Sequence, residues 1–227
     1  MEAAAAGLLL MKKPAKPIEW MVWGGLGITV AIILGLSVRN EVLKSRGPRL
    51  PVLFQVPSFT LTNEQGRPFH SDELRGKVWL ADIVFTHCAG PCPRMTQRMA
   101  ELQAAVSSDK PVHFVTLTTD PENDTPAVLS TYARRFGAAP ERWHFLTGSK
   151  QQIAEVAVRG LKLTALPKEP AKMENPSDLF IHSTILIVID KRGRARASIE
   201  TEPAEGEPAP DVKALALPII NQLLREN

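Results

Sequence analysis

The sequence predicts an α/β fold in which helices cover a central mixed sheet, with one transmembrane helix ahead of it. Three observations carry this. Short apolar runs alternate with amphipathic stretches of about ten residues or more along 58–227, an order that implies crossover connections. The last runs are separated by a tight turn at 191–193, so they pair as a hairpin and make the sheet mixed. Residues 18–38 are apolar and carry no charge between Glu19 and Arg39.

The chain has 227 residues, 44% hydrophobic and 22% charged, which suits one compact domain plus an accessory segment and argues against disorder. The formal net charge is +3. Much of the positive charge flanks the apolar run, at Lys12, Lys13 and Lys16 before it and at Arg39, Lys44, Arg46 and Arg49 after it. That pattern is membrane flanking rather than a nucleic-acid patch. Regularly interleaved aromatics and zinc-finger spacing are both missing, so nucleic acid is not an expected partner.

Residues 1–17 read as a tail and 18–38 as a membrane anchor. About 20 apolar residues suffice to cross a bilayer. Trp20 and Trp23 stand at one end, where such rings settle among headgroups. The run is long for a cleaved signal peptide, and no A-x-A-like site follows it. A mitochondrial transit peptide is disfavoured by Glu2 and by the absence of early arginines. Both flanks are basic, so charge does not fix orientation. Gly27, Ala31 and Gly35 recur every fourth residue, a spacing compatible with a homodimer through this helix. Residues 39–57, rich in proline and basic side chains, read as a linker.

The domain is expected over 58–227. Residues 59–62 alternate as a strand that leads into a turn at 63–66. Ser71 caps a short helical turn through Leu74, closed by Gly76. Residues 78–85, V-W-L-A-D-I-V-F, form a buried strand in which Asp82 needs a partner or an edge position. A helix over 93–106 places Met95, Met99, Leu102 and Val106 at helical spacing, and these methionines read as core. A strand follows at 112–118. Thr125 and Pro126 then open a helix to about Phe136, with Gly137 beyond it. A short strand at 143–146 precedes a helix from Ser149 to Val158, closed by Gly160. The strand at 183–190 pairs back with 195–199. An acidic, proline-rich loop at 200–210 leads to a last helix from Asp211 to Leu224. No repeat of solenoid length occurs.

Chemistry concentrates at F-T-H-C-A-G-P-C-P-R-M, residues 85–95. The chain has two cysteines, Cys88 and Cys92, between a buried strand and a helix. A disulfide across so short a loop stabilises little, and a disulfide framework needs more cysteines, so the pair points to redox or metal chemistry. A helix N-terminus lowers a neighbouring thiolate pKa, and a thiolate is both a nucleophile and a soft ligand for Cu(I). The three-residue spacing permits both sulfurs to face one metal or to close into a disulfide. Two thiolates leave a metal under-coordinated, so a third ligand is expected. His182, before the strand at 183–190, and His87, adjacent to Cys88, are candidates; His87 should point away from its neighbour. His70, His113 and His144 have no motif context. Asp120, Glu122 and Asp124 alternate, but the calcium-loop glycine and glutamate are replaced by Thr125 and Thr131, so turn formation and helix capping are expected of them. Nucleophile elbow, phosphate loop and H-E-x-x-H are all missing.

Four stretches carry a resemblance: V-F-T-H-C-A-G-P-C-P; V-T-L-T-T-D-P-E-N-D-T-P with L-S-T-Y-A-R-R-F-G; W-H-F-L-T-G-S; and H-S-T-I-L-I-V-I-D-K-R-G. Together they resemble the SCO/SenC family, copper-binding assembly proteins of cytochrome c oxidase. The resemblance implies a thioredoxin-like fold with one N-terminal anchor, and copper held by Cys88, Cys92 and His182. It implies delivery of copper to the binuclear site of the oxidase, with the copper-bearing subunit and other copper carriers as partners. It also implies a single-pass inner-membrane protein whose domain faces the periplasm or outside, the mitochondrial intermembrane space being the alternative. His87 and the proline- and lysine-rich loop at 161–178 depart from the expected pattern. Two rivals remain: a thiol-disulfide oxidoreductase using Cys88 and Cys92 as its redox pair without the histidine, and a peroxide scavenger, for which no activating motif is evident.

Overall fold

The computed structural model describes residues 17–45, 49–163, 166–167, 180–181, 184–203 and 208–226. The chain divides into two units, Met1–Arg49 and Leu50–Asn227.

The first unit is built on α1 (Pro17–Ser45), 29 residues long. Its apolar stretch Trp20–Arg39 is exposed throughout and long enough to cross a membrane. At 1.5 Å per residue, those 20 residues span about 30 Å, the thickness of a hydrocarbon core. The Thr29 hydroxyl in this stretch donates to the Gly25 carbonyl at 2.9 Å, so the helix satisfies its own polar group.

The second unit is an eight-stranded mixed sheet. Its strands are β1 (Phe54–Gln55), β2 (Thr60–Asn63), β3 (Pro68–His70), β4 (Val78–Val84), β5 (Val112–Thr118), β6 (Trp143–Thr147), β9 (Ile185–Ile189) and β10 (Arg194–Glu200), in the order β1-β10-β9-β4-β5-β6-β2-β3. β4, β5 and β6 are parallel, and every other pairing is antiparallel. A separate ribbon pairs β7 (Leu166–Pro167) with β8 (Phe180–Ile181). The helices are α2 (Pro91–Ala105), α3 (Pro126–Arg135), α4 (Lys150–Ala154) and α5 (Val212–Arg225).

Alternation along β4 divides the core. Val78, Leu80 and Val84 pack with residues of α2, α3 and α5, while Trp79, Ala81 and Ile83 pack with Leu61, Phe69, Ile153 and Val156 on the opposite face. Helix boundaries follow local chemistry. The Thr125 hydroxyl accepts the Val128 N–H at the start of α3, and the Asp211 carboxylate accepts the Ala214 N–H at the start of α5. Gly137, at φ 66°, ends α3 in the left-handed region.

Several elements differ from expectation. α2 begins at Pro91 rather than Pro93, because Gly90 takes the cap position and Pro91 has the φ that a first helical residue needs. Cys92 therefore lies inside the helix. The helix expected over 149–158 is α-helical only to Ala154. It then widens into a π-helical segment, Glu155–Gly160, that buries Val156, Ala157 and Gly160. β1 and β3 are too short to read from alternation. β1 lies in the stretch read as linker, where Phe54 pairs with Ala195, and the compact unit starts at Leu50. Asp82 has neither an edge position nor a hydrogen-bond partner. β4 is central, between β9 and β5, and both carboxylate oxygens are buried without a hydrogen bond.

A register shift between Ala195 and Ala197 places an extra residue in β10. The bulge turns Arg196 inward, with its side chain 3% exposed. Its guanidinium donates to Asp190 Oδ2 at 2.9 Å, Glu226 Oε2 at 2.7 Å and the Leu50 carbonyl at 2.6 Å.

Candidate metal centre

β4 delivers the cysteine loop to the middle of the sheet. The Thr119 N–H donates to the Val84 carbonyl at 2.8 Å, so β4 and β5 stay joined to their carboxyl ends. A tight turn follows, closed by the Cys88 N–H donating to the Phe85 carbonyl at 3.2 Å. α2 then starts at Pro91, which puts Cys92 in its first turn.

The two cysteines are brought together as thiols, not as a disulfide, and both are buried. They hydrogen-bond each other. The bond with Cys88 and then burial push the Cys92 thiol up, against a smaller opposing contribution from the Phe85 N–H. Met95 and Met99 are buried in the same cluster as the cysteines, as expected of core residues. Beneath the pair, the Thr96 hydroxyl donates to the Cys92 carbonyl at 2.9 Å. That leaves the Tyr132 hydroxyl, 3.0 Å away, as donor to Thr96. Burial raises the Tyr132 hydroxyl above its ordinary range.

Asp82 lies on the same face of β4 as Leu80 and Val84, which pack with the cysteines. Burial raises its carboxyl to about 7. Thr116, its neighbour across the parallel ladder, offsets a little of that rise, though its hydroxyl makes no well-formed bond to either oxygen. The Thr116 hydroxyl instead accepts Trp143 Nε1–H at 2.9 Å.

The acidic trio divides. Asp120 closes the turn as expected, its carboxylate accepting Asn123 Nδ2–H at 2.8 Å. Glu122 makes an exposed ion pair with Lys150. Asp124 neither caps α3, which Thr125 does, nor faces solvent. It is fully buried and reaches the cysteine loop, accepting the Thr86 N–H at 3.1 Å and the hydroxyls of Thr86 and Thr118. Nothing in local sequence signals a contact between residues 38 apart.

The histidines scatter. His87 is exposed, as the alternation argument expects, with Nδ1 3.4 Å from Thr86 Oγ1. His70 pairs with Thr60 on the β2–β3 hairpin. His182 lies outside the described residues; among those described, no group of three or more His, Cys, Asp and Glu forms a metal-holding cluster. His113 and His144 stack at 6.0 Å on the face away from the cysteines, each with a buried, unbonded Nδ1. Burial and then the Lys77 charge hold His113 down to about 4, and burial also lowers His144. The unfolded chain therefore takes up these protons below about pH 6.5 while the folded state refuses them, so stability falls from pH 6.5 towards 4. His113→Gln should lose about 1 kcal/mol less over that interval in urea titrations, after discounting for partial exposure. Equal losses in both proteins would remove His113 as the cause.

The sequence profile of the SCO1/SenC family matches residues 53–217. The SCO1 protein homolog of Bacillus subtilis is 34% identical over 146 residues, covering 63% of this chain and 72% of that protein. BsSco, a member of the Sco family of cytochrome c oxidase assembly proteins in which a disulfide switch was identified, superposes with a TM-score of 0.64 at 26% identity, over 79% of this chain and 100% of that one. ScoI of Bradyrhizobium japonicum with copper bound superposes with a TM-score of 0.58 at 26% identity, covering 73% and 99%. The matched region holds the whole sheet from β1 to β10 and the cysteine pair at the end of its central strand. The fold is thioredoxin-like, and the chain belongs to the SCO1/SenC family.

Proposed function

We propose that this protein is a membrane-anchored copper chaperone that loads the binuclear copper site of cytochrome c oxidase. The observation that carries the reading is the pair of buried, mutually hydrogen-bonded thiols at the carboxyl end of β4. Cu(I) favours soft thiolate ligands, and two sulfurs already in contact can close on one ion with little rearrangement. His182 supplies the third ligand, on its place in the family motif H-S-T. α1 tethers the domain to a bacterial inner membrane with the domain outside the cytoplasm, and its Gly27, Ala31, Gly35 face is the surface a homodimer would use. Copper passes to the oxidase subunit by exchange of thiolate ligands.

Each thiol that binds as a thiolate gives up its proton, so copper uptake releases protons and apparent affinity rises with pH. Calorimetry in buffers of different ionisation enthalpy reads this release; no buffer dependence would contradict thiol ligation in the form described. Anaerobic titration of the reduced protein should reach one Cu(I) per chain. Cys88→Ser should abolish binding, and binding that survives it would overturn the proposal.

The relative with a disulfide switch, and thiols already in contact, favour a second reading, a thiol-disulfide oxidoreductase acting on a partner's cysteines. His182→Ala separates the two. Lost copper binding alongside full thiol exchange, with no growth defect in oxidase assembly, would select the oxidoreductase.

A further inference from the structure

We infer that Asp124 is a positioning residue of the metal site, holding Cys88 in place from a turn outside the cysteine motif. The inference rests on the copper reading above. Thr86 is the second residue of the turn Phe85–Cys88, whose closing bond comes from the Cys88 N–H itself. Asp124 grips Thr86 twice, through its N–H and its hydroxyl. The position of Cys88 is thus fixed at one end by Asp124 and at the other by α2.

Asp124 is itself braced. Its N–H donates to the Asp120 carbonyl at 2.8 Å, and its carboxylate also accepts the Thr118 hydroxyl. The same Thr118 oxygen accepts the Asp120 N–H at 2.9 Å. Val84 and Thr119, which join directly by a backbone bond, frame this assembly at the strand ends. The turn D-P-E-N-D-T-P is therefore a rigid bracket between β5 and α3, and of its two buried carboxylates Asp120 closes the turn itself while Asp124 serves the cysteine loop. A carboxylate buried at this depth needs such donors, and it receives them from the backbone and hydroxyl two residues before a ligand. Outer-shell groups of this kind set ligand geometry rather than touch the metal.

The test is anaerobic competition for Cu(I) between a chromophoric chelator and the reduced full-length protein in detergent. Thr86→Val removes one hydroxyl and leaves Asp124 intact. Asp124→Ala removes the whole grip. Loss of an outer-shell partner typically weakens metal affinity about 10–100-fold, and Asp124→Ala should fall in that range with Thr86→Val moving in the same direction. Thr86→Ser, which restores the donor, and Glu122→Ala, in the same turn but exposed, should bind as the wild type does. If Asp124→Ala does not fold, Thr86→Val decides. A folded Thr86→Val with wild-type affinity overturns the positioning role while leaving copper binding in place. A wild-type protein that binds no copper overturns both readings.

Discussion

Asp82→Asn should stabilise the protein by about 2–4 kcal/mol at pH 8 and by almost nothing at pH 4. Asp82 is fully buried on the central strand, and neither oxygen has a hydrogen-bond partner. Desolvation lifts its carboxyl from the ordinary 3.8 to about 7. Below pH 3.8 both folded and unfolded chains hold the proton, and the residue costs nothing. Between 3.8 and 7 only the folded state holds it, so stability drains away as pH rises and the loss is complete above about 7. The rise from 3.8 to about 7 corresponds to a ceiling of about 4 kcal/mol. Asparagine has nearly the same shape and stays neutral at every pH, so it removes the cost of burying a charge. Urea unfolding at pH 4, 6 and 8 reads the growing gap. Parallel curves for variant and wild type would mean that Asp82 does not titrate in this range.

Arg196→Leu should destabilise the protein by about 3–5 kcal/mol, little affected by salt. The guanidinium is 3% exposed and is shared among Asp190, Glu226 and the carbonyls of Leu50 and Pro51. Leucine keeps the bulk but strands the Leu50 carbonyl and half-compensates Asp190. Burial alone would raise the Asp190 carboxyl. Hydrogen bonds from the Arg194 side chain and backbone, then from Arg196, outweigh it and hold the carboxyl below its ordinary value. Arg196→Lys should fall between the two, because an ammonium cannot span all four acceptors as a planar fork does. Thermal and urea unfolding measure both variants. A leucine variant within 1 kcal/mol of wild type, an ordinary surface effect, would show that the buried network contributes nothing net.

What the sequence disclosed tracks how local each signal is. β5 matches residue for residue, since seven apolar-rich positions between a turn and a loop need no distant partner. α3 was legible from Thr125 and Pro126 because cap and first turn are neighbours in the chain. Cys88 and Cys92 stood out by spacing alone. β1 was hidden because two residues carry no period and exist as a strand only through Ala195. The π-helical segment was hidden because its winding is set by what Val156 and Ala157 pack against. The direction in which the Cys92 thiol shifts was not legible, since it depends on burial and on the neighbouring Cys88 thiol. Asp124 read as one of three turn residues, and only folding revealed which of them reaches the cysteine loop.

The sheet ends in β1 on one side and β3 on the other, strands of two and three residues. β3 opens with Pro68, which has no N–H to offer a further strand. Long, flat, open edges are the templates on which chains pair and aggregate. On the membrane-anchored reading proposed above, the protein would meet its own copies at high local concentration while holding two thiols reduced. Borders this short would let such a crowded population stay monomeric at its sheet edges.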